Sequence, residues 1–80
     1  MLTLYMRPGC PYCAKVLIEA ATLGISFDER NINNPALEAE LIEKGGKRQV
    51  PYLFDSATGT GLYESNAIIE HLHATFSGNV

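Results

Sequence analysis

Leu2, Leu4 and Met6 alternate with Thr3 and Tyr5 at the start of the chain, which is the two-residue period of a strand. Apolar groups fall on both of its faces, so this strand is expected at the centre of a sheet. Beyond Pro8-Gly9 the period changes: Val16, Leu17, Ala20, Ala21 and Leu23 recur at threes and fours, a helical stripe. The helix is entered at Cys10, with Pro11 in the first helical place, where its fixed φ fits and its missing N–H would have had no partner. Gly24 is placed to cap the other end. Ser26 to Ile32 reads as a second strand, with Phe27 as its main apolar anchor and Asp28, Glu29 and Arg30 marking a solvated edge. Strand, helix and strand in that order imply a parallel pair with a right-handed crossover.

Asn34 then caps a helix that begins at Pro35, turns Leu37, Leu41 and Ile42 inward and stops at Gly45-Gly46. Val50-Pro51 precedes a third strand, Tyr52-Leu53-Phe54. Asp55 to Gly61 is rich in turn residues, so Leu62-Tyr63 should return as a hairpin. A last helix from about Ser65 carries Ile68, Ile69, Leu72 and Phe76 as its core stripe. The order is βαβαββα, of the α/β class. No repeat, linker or low-complexity run interrupts it, so residues 1–80 are expected to form one domain.

Composition narrows the function classes. The chain has 80 residues, 46% of them hydrophobic, enough for a modest core. A formal net charge of −3 gives no general attraction to nucleic acid or anionic lipid, so neither is an expected partner. No apolar run approaches the roughly 20 residues that cross a bilayer, and Met1 to Arg7 lacks the basic region and cleavage site of a signal peptide. The expected location is the cytoplasm, and the expected state a monomer. In a reducing compartment, two closely spaced cysteines point to catalysis or metal binding before a structural staple.

Both cysteines lie in Arg7-Pro8-Gly9-Cys10-Pro11-Tyr12-Cys13. The thiolate is the nucleophile, and a free cysteine with a pKa of about 8.5 is mostly protonated at neutral pH. At a helix start Cys10 meets unpaired backbone N–H groups and the positive end of the dipole, and Arg7 adds a cation, so Cys10 is the expected nucleophile. Cys13 follows one turn later on the face of Val16, Leu17 and Ala20. It should be more buried and within disulfide reach of Cys10, as a resolving thiol. A zinc site normally takes four ligands, and the other candidates, His71 and His73, sit on a distant helix where surface or helix-dipole roles suit them better, so no metal is expected. A structural disulfide across so short a loop would constrain the unfolded chain little.

Cys-Pro-Tyr-Cys at the first strand-to-helix turn, Val-Pro before the third strand and the βαβαββα order together resemble the glutaredoxins, whose fold is thioredoxin-like: a four-stranded mixed sheet flanked by three helices. Thioredoxins typically carry W-C-G-P-C, and this chain has no tryptophan. The runs Gln49-Val50-Pro51-Tyr52-Leu53 and Gly61-Leu62-Tyr63-Glu64-Ser65-Asn66-Ala67-Ile68-Ile69 are closer to the N-terminal domain of glutathione S-transferases. The resemblance implies a cis Pro51 beside the cysteines and a Val50 backbone that pairs with the cysteinyl part of glutathione. It also implies that Glu64 and Ser65 hold the γ-glutamyl end. A helix N-terminus with a hydroxyl is a ready carboxylate site, and Glu64 can accept from the ammonium. Arg7, Lys47 and Arg48 are the cations available for the glycine carboxylate, Gln49 can hydrogen-bond near that end, and Tyr12 is expected over the cysteines.

The resemblance therefore implies a glutathione-dependent thiol-disulfide oxidoreductase. Glutathione would be its co-substrate, and glutathionylated or disulfide-bonded proteins its partners. The rival expectations are a transferase N-terminal-like domain that has kept a redox motif, a thioredoxin-like reductant fed by a flavoprotein reductase, and an iron–sulfur or metal carrier using Cys10.

Overall fold

Two-sided apolar patterning of the first strand requires cover on both of its faces, and the computed structural model, which describes residues 2–76, supplies it. The elements are β1 (Leu2–Met6), α1 (Pro11–Thr22), β2 (Asp28–Asn31), α2 (Pro35–Gly45), β3 (Tyr52–Asp55), β4 (Thr60–Leu62) and α3 (Ser65–Phe76). They form one four-stranded sheet in the order β2-β1-β3-β4. β1 runs parallel to β2, while the β1/β3 and β3/β4 pairs are antiparallel. This is the expected mixed sheet with three helices, and β1 is interior with the charged β2 at an edge.

Successive residues of a strand point to opposite faces, and Leu4 and Tyr5, both fully buried, head two separate cores. Leu2, Leu4 and Leu53 meet Val16 and Ala20 of α1 and Ile68 and Leu72 of α3 on one face. On the other, Tyr5 and Tyr52 meet Ile32 and Leu41, the latter from α2. Ions and rings supplement the thin second core: Tyr5 Oη donates to Glu40, Arg30 bridges Asp28 and Glu40, and Lys44 Nζ stands 4.6 Å over the Phe54 ring.

Several expectations need correction. β2 is shorter than Ser26–Ile32, and the tightly buried residue of this stretch is Ile32, 2% exposed and just past the strand's end, rather than the part-buried Phe27 that precedes the strand. Ile42 is exposed, as is Ala21, because α2 meets the sheet along little more than the Leu41 row and α1 turns Ala21 away from the core. At a 100° advance per residue, the neighbour of a buried position readily faces solvent. The side chain of Phe76 lies outside the described residues. The caps follow the sequence: Asn34 accepts from Ala36 N–H at the start of α2, and Gly46, with φ 91°, closes its end.

His71, expected at the helix surface, instead packs its Nε2 3.1 Å from Asp55 Oδ2. Asp55 is only 3% exposed and ends β3, where its other oxygen accepts from Ala57 N–H at 3.0 Å. Burial acts to raise this carboxyl's pKa, but the His71 bond and the Ala57 N–H outweigh it and hold the group below the usual carboxylate range. A depressed carboxyl contributes stability that is full above its unfolded pKa of about 3.9 and is lost as pH falls through the folded value. His71→Ala should leave Asp55 short of a partner and cost about 1–3 kcal/mol, read as a lower urea midpoint at neutral pH. The difference from wild type should shrink once the pH is taken below the carboxylate range.

Candidate functional site

The α1 N-terminus is built locally. Cys10 takes the N-cap position with extended backbone, Pro11 is the first helical residue, and Cys10 Sγ accepts from Cys13 N–H at 3.4 Å. A sulfur stands here where capping oxygens usually do. Both cysteines are free thiols, Cys10 at 7% and Cys13 at 1% exposure, so Cys13 is the deeper of the two.

Their titrations move apart. Burial works to raise Cys10, but the Cys13 N–H, the Cys13 thiol, the Tyr12 N–H and the Arg7 charge together bring it below the ordinary cysteine value. Burial pushes Cys13 up to about 11, helped by its hydrogen bond to Cys10 and by Cys10's charge. Cys10 is thus the readier of the two to ionise, while Cys13 holds its proton at neutral pH. Because thiolate is present above the pKa, alkylation of Cys10 by iodoacetamide should rise through a midpoint below the ordinary cysteine range. Arg7→Gln should move that midpoint upward, by less than loss of the hydrogen bonds would, since Arg7's charge ranks behind them. An unchanged or lowered midpoint would contradict the role given to Arg7.

Beside the dithiol a cavity of about 360 Å³ is lined by Tyr12, Gln49, Val50, Pro51, Tyr63, Glu64, Ser65 and Asn66. Its size is in the range of small-ligand sites. The Val50-Pro51 peptide bond is cis, as the resemblance implies. Ser65 is buried and is the first residue of α3; Glu64 takes the N-cap position, since its carbonyl accepts the helix's first bond from Ile68 N–H at 2.8 Å. The backbone N–H groups of Ser65, Asn66 and Ala67 precede that bond and carry the helix's positive end.

Six of the expected site residues, Tyr12, Gln49, Val50, Pro51, Glu64 and Ser65, are thus gathered at one cavity. Arg7 is exposed and does not line it, though its charge reaches both thiols. Lys47 lies over the Tyr63 ring at 4.9 Å, and Arg48 is paired with Glu38 at 2.6 Å. Two lining residues escaped sequence reasoning. Asn66 accepts from Lys15 Nζ at 2.7 Å, joining α3 to α1, and its place next to Ser65 at a helix start was a usable signal. Tyr63 had none, because its contacts are made with Lys47 and Tyr52, both remote in the sequence. Among the described residues no cluster of His, Cys, Asp and Glu could hold a metal, and no helix is long and apolar enough to cross a membrane.

Residues 4–80 match the family described as glutathione S-transferase, N-terminal domain. A glutaredoxin of Neisseria meningitidis (serogroup A) is 39% identical over 62 residues, covering 75% of this chain and 73% of that protein. Glutaredoxin 3 of Escherichia coli (strain K12) is 34% identical over 59 residues, covering 72% and 71%. Among solved structures, a glutathione S-transferase from the Antarctic clam Laternula elliptica superposes with a TM-score of 0.80 at 29% identity. The match covers 95% of this chain but 35% of the transferase, so the chain spans about a third of that protein's length. With Cys10 at a helix start and cis Pro51 in the wall of the neighbouring cavity, these likenesses place the chain in the glutaredoxin family, on the glutathione S-transferase N-terminal domain pattern.

Proposed function

We propose that the protein is a glutathione-dependent thiol-disulfide oxidoreductase of the cytoplasm that works through the Cys10/Cys13 dithiol. The observation that carries the reading is the opposed titration of two thiols one helical turn apart, beside a cavity with a helix N-terminus in its wall. The Cys10 thiolate attacks the glutathione sulfur of a mixed disulfide. A Cys10–glutathione disulfide forms, the substrate's sulfur leaves as thiolate and is protonated by solvent. A second glutathione thiolate then attacks the bound glutathionyl sulfur, which releases oxidised glutathione and restores Cys10.

With a protein disulfide, Cys10 forms the mixed disulfide and Cys13 attacks the Cys10 sulfur, freeing the reduced protein and leaving a Cys10–Cys13 disulfide. Two glutathiones reduce that bond and depart as oxidised glutathione. The hydrogen bond to Cys10 and Cys10's charge help keep Cys13 protonated, and both weaken once Cys10 is in a mixed disulfide. Cys13 therefore becomes easier to ionise at the step that needs its thiolate.

Glutathione fits the cavity by charge. The α3 N-terminus and Ser65 receive the γ-glutamyl carboxylate, Glu64 the ammonium, and the Val50 backbone the cysteinyl peptide unit. Reduction of a small glutathione mixed disulfide by glutathione, glutathione reductase and NADPH tests the reading. Turnover with a thioredoxin reductase but not with glutathione would replace it by the thioredoxin-like route. The transferase family match favours a second reading, conjugation. Steady conjugation of an aromatic halide to glutathione, without disulfide reduction, would establish it.

A further inference from the structure

We propose that Tyr63 is a positioning residue that holds the Lys47–Pro51 segment, which carries the Gln49–Pro51 wall of the cavity, in register with the Glu64–Ser65 wall, an inference that rests on the glutathione reading above. Tyr63 immediately follows β4 and directly precedes Glu64, so it is carried by the same backbone as the second wall. Its hydroxyl reaches across to the first. Tyr63 Oη donates to the Lys47 carbonyl at 2.8 Å and accepts from the Lys47 N–H at 3.1 Å. The same Lys47 carbonyl accepts from Gln49 N–H at 3.1 Å, so one oxygen joins Tyr63 to the residue that leads into Val50-Pro51. The ring is fixed as well, packed at 4.5 Å against Tyr52 of β3 and covered at 4.9 Å by the Lys47 ammonium.

The last residue of α2 is shaped to this contact. A Cβ on Gly45 would stand 2.0 Å from Tyr63 Oη and 2.6 Å from its Cζ, an impossible approach. Glycine is disfavoured against alanine in a helix by up to about 1 kcal/mol, so its presence inside the helix end is explained by the room Tyr63 needs. A segment between two elements with few bonds of its own is thereby given a defined distance from the α3 N-terminus. That distance decides whether a ligand can meet the Val50 backbone and Ser65 at once, as preorganisation requires.

Tyr63→Phe keeps the ring and removes both hydroxyl bonds. The expected result is a three- to tenfold rise in KM for a glutathione mixed disulfide, about what two partly exposed hydrogen bonds are worth, with kcat and the Cys10 alkylation midpoint unchanged. Exchange of the Gln49 amide should quicken in the same variant. Gly45→Ala should raise KM similarly by displacing the ring, and adding Tyr63→Phe to it should change little further, since the bonds are already lost. Wild-type KM together with wild-type Gln49 exchange in Tyr63→Phe overturns the proposal, as does a fall in kcat at unchanged KM. Wild-type protein that does not turn over the mixed disulfide overturns the glutathione reading and the ligand named here, while the exchange measurement still decides whether Tyr63 holds the segment.

Discussion

Cys10→Ser should reduce turnover of glutathione mixed disulfides by on the order of 10³-fold or more, the scale on which removal of a covalent nucleophile acts. Cys13→Ser should retain most of that activity and lose reduction of protein disulfides. The asymmetry follows from position. Cys10 caps α1 with its sulfur toward Cys13 N–H and is lowered, whereas Cys13 is 1% exposed and raised to about 11. A serine at 10 can still cap the helix, so the fold should survive and the loss should be chemical. A serine at 13 leaves the nucleophile in place, keeps the backbone N–H and puts a hydroxyl donor where the thiol was, so the Cys10 alkylation midpoint should not rise. Equal loss in the two variants, measured with the small mixed disulfide, would refute the division of labour.

The largest effect on stability is expected at Leu53. It is fully buried in β3, pairs in register with Leu4 and Leu62 on its two sides, and belongs to the core beneath α1 and α3. Leu53→Ala removes apolar burial and leaves a cavity, at a cost of about 2–5 kcal/mol. At roughly 0.05–0.15 kcal/mol per residue, a chain of 80 residues has only about 4–12 kcal/mol in total. The change should therefore lower Tm by at least about 8 °C, at roughly 4–8 °C per kcal/mol for a chain of this size. Ile18→Ala, at a site 66% exposed, should stay within about 0.5 kcal/mol of wild type. A Tm drop of a degree or two for Leu53→Ala would mean that this strand does not form the core.

What was readable in the sequence was what depends on near neighbours. The strand period of Leu2, Leu4 and Met6, the proline-led starts at Pro11 and Pro35, and the cap at Gly46 are local devices, and each appears where the pattern puts it. The dithiol was legible for the same reason, since a cysteine at a helix start meets its stabilising N–H groups within its own turn. Periodicity marks a stripe but not how much of it another element covers, hence the misplaced Ile42 and Ala21. Contacts between distant residues were invisible: His71 with Asp55 and Tyr63 with Lys47 span 16 positions each, and Lys15 with Asn66 spans 51. The cavity's walls became legible only through likeness to a family, because nothing local in Val50-Pro51 or Glu64-Ser65 says that they face one another.

The two cores beneath the sheet are unequal, and thermal motion should follow that inequality. α1 buries Cys13, Val16 and Ala20, and α3 buries Ser65, Ile68 and Leu72, whereas α2 buries Leu41 alone. Its hold on the sheet depends instead on Glu40, paired with Arg30 of β2, and Lys44, over the Phe54 ring of β3, charges whose attractions salt screens. Local opening is cheapest where few apolar contacts must be broken, so among the three helices α2 should be the first to open, as amide hydrogen exchange would read. It leads straight into Lys47 and the Val50-Pro51 wall, so the two bonds from Tyr63 to Lys47 are what should steady the binding cleft against the looser layer of the molecule.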